Sequence, residues 1–192
     1  MSLHADASAV LTRWTPPDHE QAALRNRYLQ HLQERADAVW RECHPEHVTA
    51  SALVLSADRS RVLLTLHRKL GRWLQTGGHC ERGDQTLAAA AHREAVEESG
   101  IADVALDEVP VLLSRHEVPC GPVRPAYHLD VQYVARVADD AVPVSSDESE
   151  DVRWFPVDAL PAEADASVRA LVHHALARAR RVASARGGSL HR

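Results

Sequence analysis

A chain of 192 residues, 45% hydrophobic and 26% charged, is long enough to bury a sizeable core as one domain without covalent staples. Its net charge of -5 and pI near 6.2 supply no general field for nucleic acid or an anionic membrane, so neither is expected as a partner. The start, Met1-Ser2-Leu3-His4-Ala5-Asp6, lacks a basic region followed by an apolar core, and no run approaches the roughly 18 apolar residues of a membrane span. A cytoplasmic location is the resulting expectation.

Pro16-Pro17-Asp18 opens a predicted helix over about 20–41, with Ala23, Leu24, Tyr28, Leu32, Ala36, Val39 and Trp40 at helical spacing. It stands ahead of the strands, where it can cover a sheet edge or build a homodimer; Trp40 reads as a packing residue. Residues 47–56 read as a strand, 57–60 as its turn and 61–67 as the returning strand. Arg72-Trp73-Leu74-Gln75 is a short strand entering a turn at Gly77-Gly78. A helix then runs from Thr86, its N-cap, to Gly100, which supplies the left-handed residue that ends helices.

Two longer β segments follow, at 104–118, broken near Pro110, and at 127–137. In the second, His128, Asp130, Gln132 and Ala135 alternate with Leu129, Val131, Tyr133 and Val137, a pattern for one buried face. A proline-rich loop, 119–125, joins them. Residues 152–155 are the last short strand, and 165–185 form a helix with Val168, Leu171, Val172, Ala175, Leu176 and Ala179 on one face; the end, 186–192, frays. No repeat or interdomain linker is visible. The reading is α/β: an α/β/α sandwich with a mixed sheet, a helical extension over 1–46 and a main domain over 47–192 that ends in a helix.

Cys43, Cys80 and Cys120 are odd in number, far apart and without a CxxC pair, so they read as free thiols. Cys43, His44 and His47 have ligand-like spacing, but a zinc site needs about four ligands and no second cluster complements them in the sequence. His79, beside two glycines, is placed either to touch a phosphate or to pack.

The segment that carries chemistry is Gly77-Gly78-His79-Cys80-Glu81-Arg82-Gly83-Asp84 and the helix after it. Glu94, Glu97 and Glu98 lie at i, i+3 and i+4 and must crowd together, at a cost of a few tenths of a kcal/mol per pair. No stability argument favours that crowding. A hard cation such as Mg²⁺ or Mn²⁺, which takes carboxylate oxygens and keeps coordination positions for phosphates, would offset it. Leu87, Ala90, Ala91 and Ala95 on the opposite face, with Ile101 beyond, are small and apolar, suited to close packing on a sheet.

Residues 78–101 resemble the Nudix box, in which Gly, five residues, Glu and seven residues precede Arg-Glu-apolar-any-Glu-Glu-any-Gly-apolar. Arg93, Glu94, Ala95, Glu97, Glu98, Gly100 and Ile101 match the second half, a far more specific signal than a lone glycine-rich loop. The first half departs: Asp84 stands where the family has Glu, and eight residues separate it from Arg93, most simply through Gln85 inserted in the loop. Either Asp84 or Glu81 is left to brace Arg93.

The resemblance spans about 47–160 and implies a Nudix-type hydrolase of nucleoside diphosphates linked to another moiety, using Mg²⁺ or Mn²⁺ and a small-molecule diphosphate substrate. It further implies that Glu94 and Glu98 hold metal, that Glu97 is a ligand or bonds to metal-bound water, and that the carbonyl of Gly77 or Gly78 completes the site. Arg93 would hold the glutamates. A later loop glutamate often completes the site or acts as base, and Glu148, with Glu150 second, is the expected one. Arg115, His116, Arg124 and His128, beside His79, are candidates for phosphate or an anionic leaving group, with surface charge the alternative for the arginines. A catalytically weak module of the same fold that binds a nucleotide or metabolite for regulation is the alternative reading, motivated by Asp84 and Gln85. No pattern after Gly100 selects a substrate, and Trp14, Trp40, Trp73 and Trp154 read as packing residues, with Trp73 the best placed to stack on a base.

Overall fold

In the computed structural model of the chain, which describes residues 2–68, 70–119, 122–145 and 149–187, four helices enclose a mixed seven-stranded sheet. Strand β1 (Glu46–Ser56) is the centre, because its run of small and branched residues can be covered on both faces. It pairs antiparallel with β2 (Arg61–His67) and with β4 (Thr76–His79), and parallel with β6 (Ala126–Val137). β5 (Ala105–Val118) continues the sheet beyond β6, while β3 (Arg72–Leu74) and β7 (Ser149–Pro156) both pair with β2.

Alternation along β1 assigns its residues to two cores. Val48, Ala50, Ala52 and Val54 join Leu87, Ala90, Ala91 and Ala95 of α3 (Leu87–Ser99), together with Leu11 of α1 (Leu3–Arg13) and Tyr28 of α2 (His19–Glu34). Leu53 and Leu55 point the other way, against Val168, Leu171 and Val172 of α4 (Ala166–Gly187). The first half of that second face is polar: His47, Thr49 and Ser51 are buried beside Asp130 and Gln132. Among the described residues no helix is long and apolar enough to cross a membrane.

Several elements differ from the sequence reading for identifiable reasons. The helix expected over 20–41 ends at Glu34, where Arg35 leaves helical geometry and donates from Nε and Nη2 to the Asp37 carboxylate at 3.1 and 3.0 Å. That local side-chain pair competes with helix continuation and folds 35–43 into turns that bury Ala38 and Val39. Gly77-Gly78, expected as a turn, lies inside strand β4. β5 carries the expected irregularity, a register shift between Asp107 and Leu112 that brackets Pro110. β6 is buried on both faces rather than one, since Asp130 and Gln132 are enclosed and Asp130 accepts hydrogen bonds from Thr49, Ser51 and Gln132.

Helix α1 has no counterpart in the sequence reading, and it is tied directly to α3. Buried Asp6 accepts the Leu87 backbone N–H at 2.9 Å, satisfying one of the amides that a helix start leaves without an intrahelical partner. Trp14, just after α1, donates its indole N–H to Pro110 at 2.8 Å. Asp6→Ala is expected to lower the unfolding free energy by about 1–2 kcal/mol, and Asp6→Asn by less because an acceptor oxygen remains. Urea titration of the two variants measures this, and equal midpoints for wild type and Asp6→Ala would remove the link.

Candidate active site

Helix α3 begins at Thr86, whose hydroxyl accepts the Ala89 N–H at 3.0 Å, and stops at Gly100 with φ of 68°. Those caps set the register that turns Glu94 and Glu98 toward β4 and leaves Glu97 on the exposed flank of the helix. Pairing of β4 with β1 sets Gly77 opposite Ser51 and Gly78 opposite Ala50. A Cβ on Gly77 would lie 2.3 Å from the Ser51 Cβ, so only a glycine lets the two strands approach this closely. A Cβ on Gly78 would lie 2.6 Å from Oε1 of Glu94, so the second glycine makes room for a carboxylate.

Two acids therefore converge on this glycine pair. Glu94 packs against Gly78, and Glu98 accepts the Gly77 N–H through Oε2 at 3.0 Å. Glu97 points outward, its side chain 58% exposed. Arg93 organises the group: Nη1 donates to Glu94 and to Glu97, each at 3.0 Å, and Nη2 donates to the His79 carbonyl at 3.0 Å. Its Nε and Nη2 clasp the two oxygens of Asp84 at 3.2 and 3.1 Å. Glu81 stands at 3.9 Å from Nη1, so the brace is Asp84, whose side chain is only 7% exposed and also accepts the Glu81 N–H at 2.7 Å. The extra loop residue is absorbed in the exposed turn at Gln85, leaving the helix register intact.

Partial burial works against the Arg93 charge, but Asp84 and Glu94 more than offset it and hold its pKa above the ordinary arginine value. The guanidinium is thus a permanent cation set among Asp84, Glu94 and Glu97, a group with an excess of negative charge. Cys80, in the same loop, has its thiol pushed up to about 12 by burial, with the Asp84 charge adding to the effect, which leaves it protonated and unsuited to act as a nucleophile. Gly78→Ala is expected to push the Glu94 carboxylate aside, a movement a flexible side chain makes at low cost, so turnover should fall at least tenfold while stability changes by about 1 kcal/mol or less. Parallel kinetics and thermal melts check this; unchanged turnover would detach Glu94 from the chemistry.

The other expected site residues fall in separate places. His79, His116 and His128 come together on the sheet face away from α3, joined by His47. Arg115 is engaged at 3.0 Å with Glu46 and stacks over Tyr127, its guanidinium carbon 3.4 Å from the ring centre. Arg124 is exposed and donates to the Val118 carbonyl at 3.2 Å. Glu150 is exposed near the start of β7, and Glu148 lies outside the described residues. Trp73 meets Phe155 edge-on at 4.8 Å within the α4 core, a packing role.

Two features escaped the sequence reading. In the sequence His47 groups with Cys43 and His44, whereas the parallel pairing of β1 and β6 sets it opposite His128. The buried polar row was also missed: Asp130 accepts from Thr49 at 3.1 Å, Ser51 at 2.7 Å and Gln132 at 3.2 Å. The signal for both was parallel register between two strands with polar residues at every second position, which one strand read alone does not carry.

The family model described as NUDIX domain matches residues 45–175. Among solved structures, a hydrolase of the NUDIX family from Clostridium perfringens superposes with a TM-score of 0.55 and 23% identity, covering 67% of this chain and 93% of that one. A binary complex of the C. elegans Ap4A hydrolase gives 0.58 and 17%, covering 69% and 97%. The E. coli dihydroneopterin triphosphate pyrophosphohydrolase gives 0.54 and 19%, covering 65% and 91%. At these identities the likeness is one of fold. None of the curated proteins matches the chain.

Proposed function

Because the chain belongs to the NUDIX domain family, we propose that it hydrolyses a pyrophosphate linkage in a nucleoside diphosphate joined to another moiety, with Mg²⁺ or Mn²⁺ as cofactor. The observation that carries this reading is the convergence of Glu94 and Glu98 on Gly77 and Gly78 under the hold of Arg93 and Asp84. The donor set fits a hard divalent ion: it is made of carboxylate oxygens that outnumber the single guanidinium among them, beside a backbone kept bare of side chains. Glu94 and Glu98 would hold the ion, with Glu97 and the carbonyl of Gly77 or Gly78 as further oxygens. When bound, the ion neutralises diphosphate oxygens and makes water acidic enough to give up a proton near neutral pH.

The chain's own residues supply position and proton transfer. Arg93 fixes the carboxylate rotamers, so the acids are set before substrate arrives. Glu97, exposed and tethered at one oxygen by Arg93, can reach an incoming water as base; Glu148 is the alternative base and Glu150 the next. Among the residues expected to meet the substrate, Arg124 and His116 are exposed and can meet its phosphate groups. The departures from the family pattern gave the binding-module reading its motive, and that motive weakens because Asp84 reaches Arg93 with both oxygens. A small nucleotide substrate and a cytoplasmic setting complete the proposal.

The test is a hydrolysis panel with the purified chain and Mg²⁺, Mn²⁺ or EDTA, over dinucleoside polyphosphates, nucleotide sugars, ADP-ribose and dihydroneopterin triphosphate. Ion-dependent release of a nucleotide or pyrophosphate from at least one class is expected. Tight binding of a nucleotide with no turnover of any compound would replace the enzyme by the binding module.

A further inference from the structure

We propose that His47, His79 and His128 form a second metal site, for zinc or a similar borderline transition ion, on the sheet face turned away from the box helix. Three neighbouring strands bring the rings together. His47 of β1 is opposite His128 of β6 in the parallel pair, and His79 of β4 is opposite Thr49, on the same face as both. The ring centres are 5.1, 5.0 and 4.9 Å apart, and one potential ligand nitrogen from each lies within 4.8 Å of the others. A tetrahedral ion with metal to nitrogen bonds of about 2.0–2.1 Å needs nitrogens about 3.3 Å apart, which small ring rotations supply.

The protonation pattern is that of ligands. His47, 1% exposed, donates Nδ1–H to the Cys43 carbonyl at 3.1 Å, leaving Nε2 with its lone pair. A backbone carbonyl in this position is what orients metal-bound imidazoles elsewhere. Nε2 of His47 and Nε2 of His128 are buried and have no hydrogen-bond partner among the described residues, a cost of about 1–3 kcal/mol each that a packing role would not explain. Burial lowers the pKa of each of the three rings. Ring nitrogens that keep a lone pair suit a cation.

This site is separate from the carboxylates. Gly78 turns its missing Cβ toward Glu94, so the next residue, His79, points to the other face of β4. Ligand chemistry divides the ions in the same way, with imidazoles selecting zinc, copper or nickel and carboxylates selecting magnesium or manganese. Three protein ligands leave a fourth position for water or a substrate atom. A hydrogen bond links the two sites, since the His79 carbonyl accepts from Arg93.

The test is zinc titration of the EDTA-stripped full chain in millimolar Mg²⁺ against a chromogenic chelator, with His47→Gln, His128→Gln and Glu98→Gln, and X-ray absorption of the zinc-loaded wild type. One equivalent is expected to bind, at least about 100-fold more weakly in either histidine variant and unchanged in Glu98→Gln, with imidazole scattering around the metal. Wild-type affinity in both histidine variants, loss only in Glu98→Gln, a shell of oxygen alone, or no zinc uptake by the wild type would each overturn the site. If a histidine variant fails to fold by circular dichroism, the absorption spectrum of the wild type decides alone. None of these outcomes depends on whether the chain hydrolyses a diphosphate.

Discussion

Glu98→Gln is expected to lower the turnover of whichever diphosphate the chain accepts by about three orders of magnitude, since one ligand to a catalytic ion is worth several kcal/mol and each 1.4 kcal/mol is tenfold in rate. Folding should survive. Oε2 of Glu98 accepts the Gly77 N–H, and the amide oxygen of glutamine can accept the same bond. The substitution also removes one charge from a crowded acidic face, so its melting temperature should equal or slightly exceed that of wild type. Steady-state kinetics at saturating Mg²⁺, alongside a thermal melt, separate the two effects. Wild-type turnover in a folded variant would exclude Glu98 from the metal.

Arg93→Met should do the reverse and damage both properties. Asp84, nearly buried, would lose the Nε and Nη2 donors and, among the described residues, keep the Glu81 N–H alone, while Glu94 would lose the Nη1 donor. Stranding a partly buried carboxylate in this way costs about 2 kcal/mol, between the exposed and fully buried limits. For a chain of this size that lowers the melting temperature by about 4–8 °C. Arg93→Lys keeps the charge and should recover part of the stability, but a point charge cannot clasp Asp84 with two donors while holding Glu94 and Glu97. Its kcat is therefore expected to stay at least tenfold below wild type. A lysine variant with full activity would show that charge, rather than the fork, is what the site needs.

The parts of the fold that were legible in the sequence are those written in local signals. Thr86 and Gly100 announce the ends of α3 because capping is a property of single residues, and the small apolar face of Leu87, Ala90, Ala91 and Ala95 follows from helical period alone. The hairpin of β1 and β2 was legible for the same reason. Arg93 as the holder of the acidic group was readable through the resemblance to the Nudix box, and the i, i+4 spacing of Arg93 and Glu97 agrees with it.

What stayed hidden depends on register between distant segments. Asp6 reaching Leu87 spans 81 positions and gives no periodic sign. His47 and His128 meet only because β1 and β6 run parallel with that one alignment, and a shift by one residue would send one of them to the opposite face. The early end of α2 turned on Asp37 capturing Arg35, a competition of a few tenths of a kcal/mol that a hydrophobic pattern does not weigh. Both acids of the loop that could have braced Arg93 were equally good in sequence. The geometry favours Asp84 because the bend at Glu81 lets its backbone N–H hold that carboxylate in place.

The account rests on Glu94 and Glu98 gathering a hard divalent ion against the Gly77–Gly78 backbone, and Mn²⁺ binding followed by electron paramagnetic resonance tests it most directly, since Mn²⁺ favours carboxylate over imidazole. Titrated with Mn²⁺, the wild-type chain should quench the signal of the free ion and retain that capacity in His128→Gln, while Glu98→Gln should lose it. Equal uptake by wild type and Glu98→Gln would contradict the account.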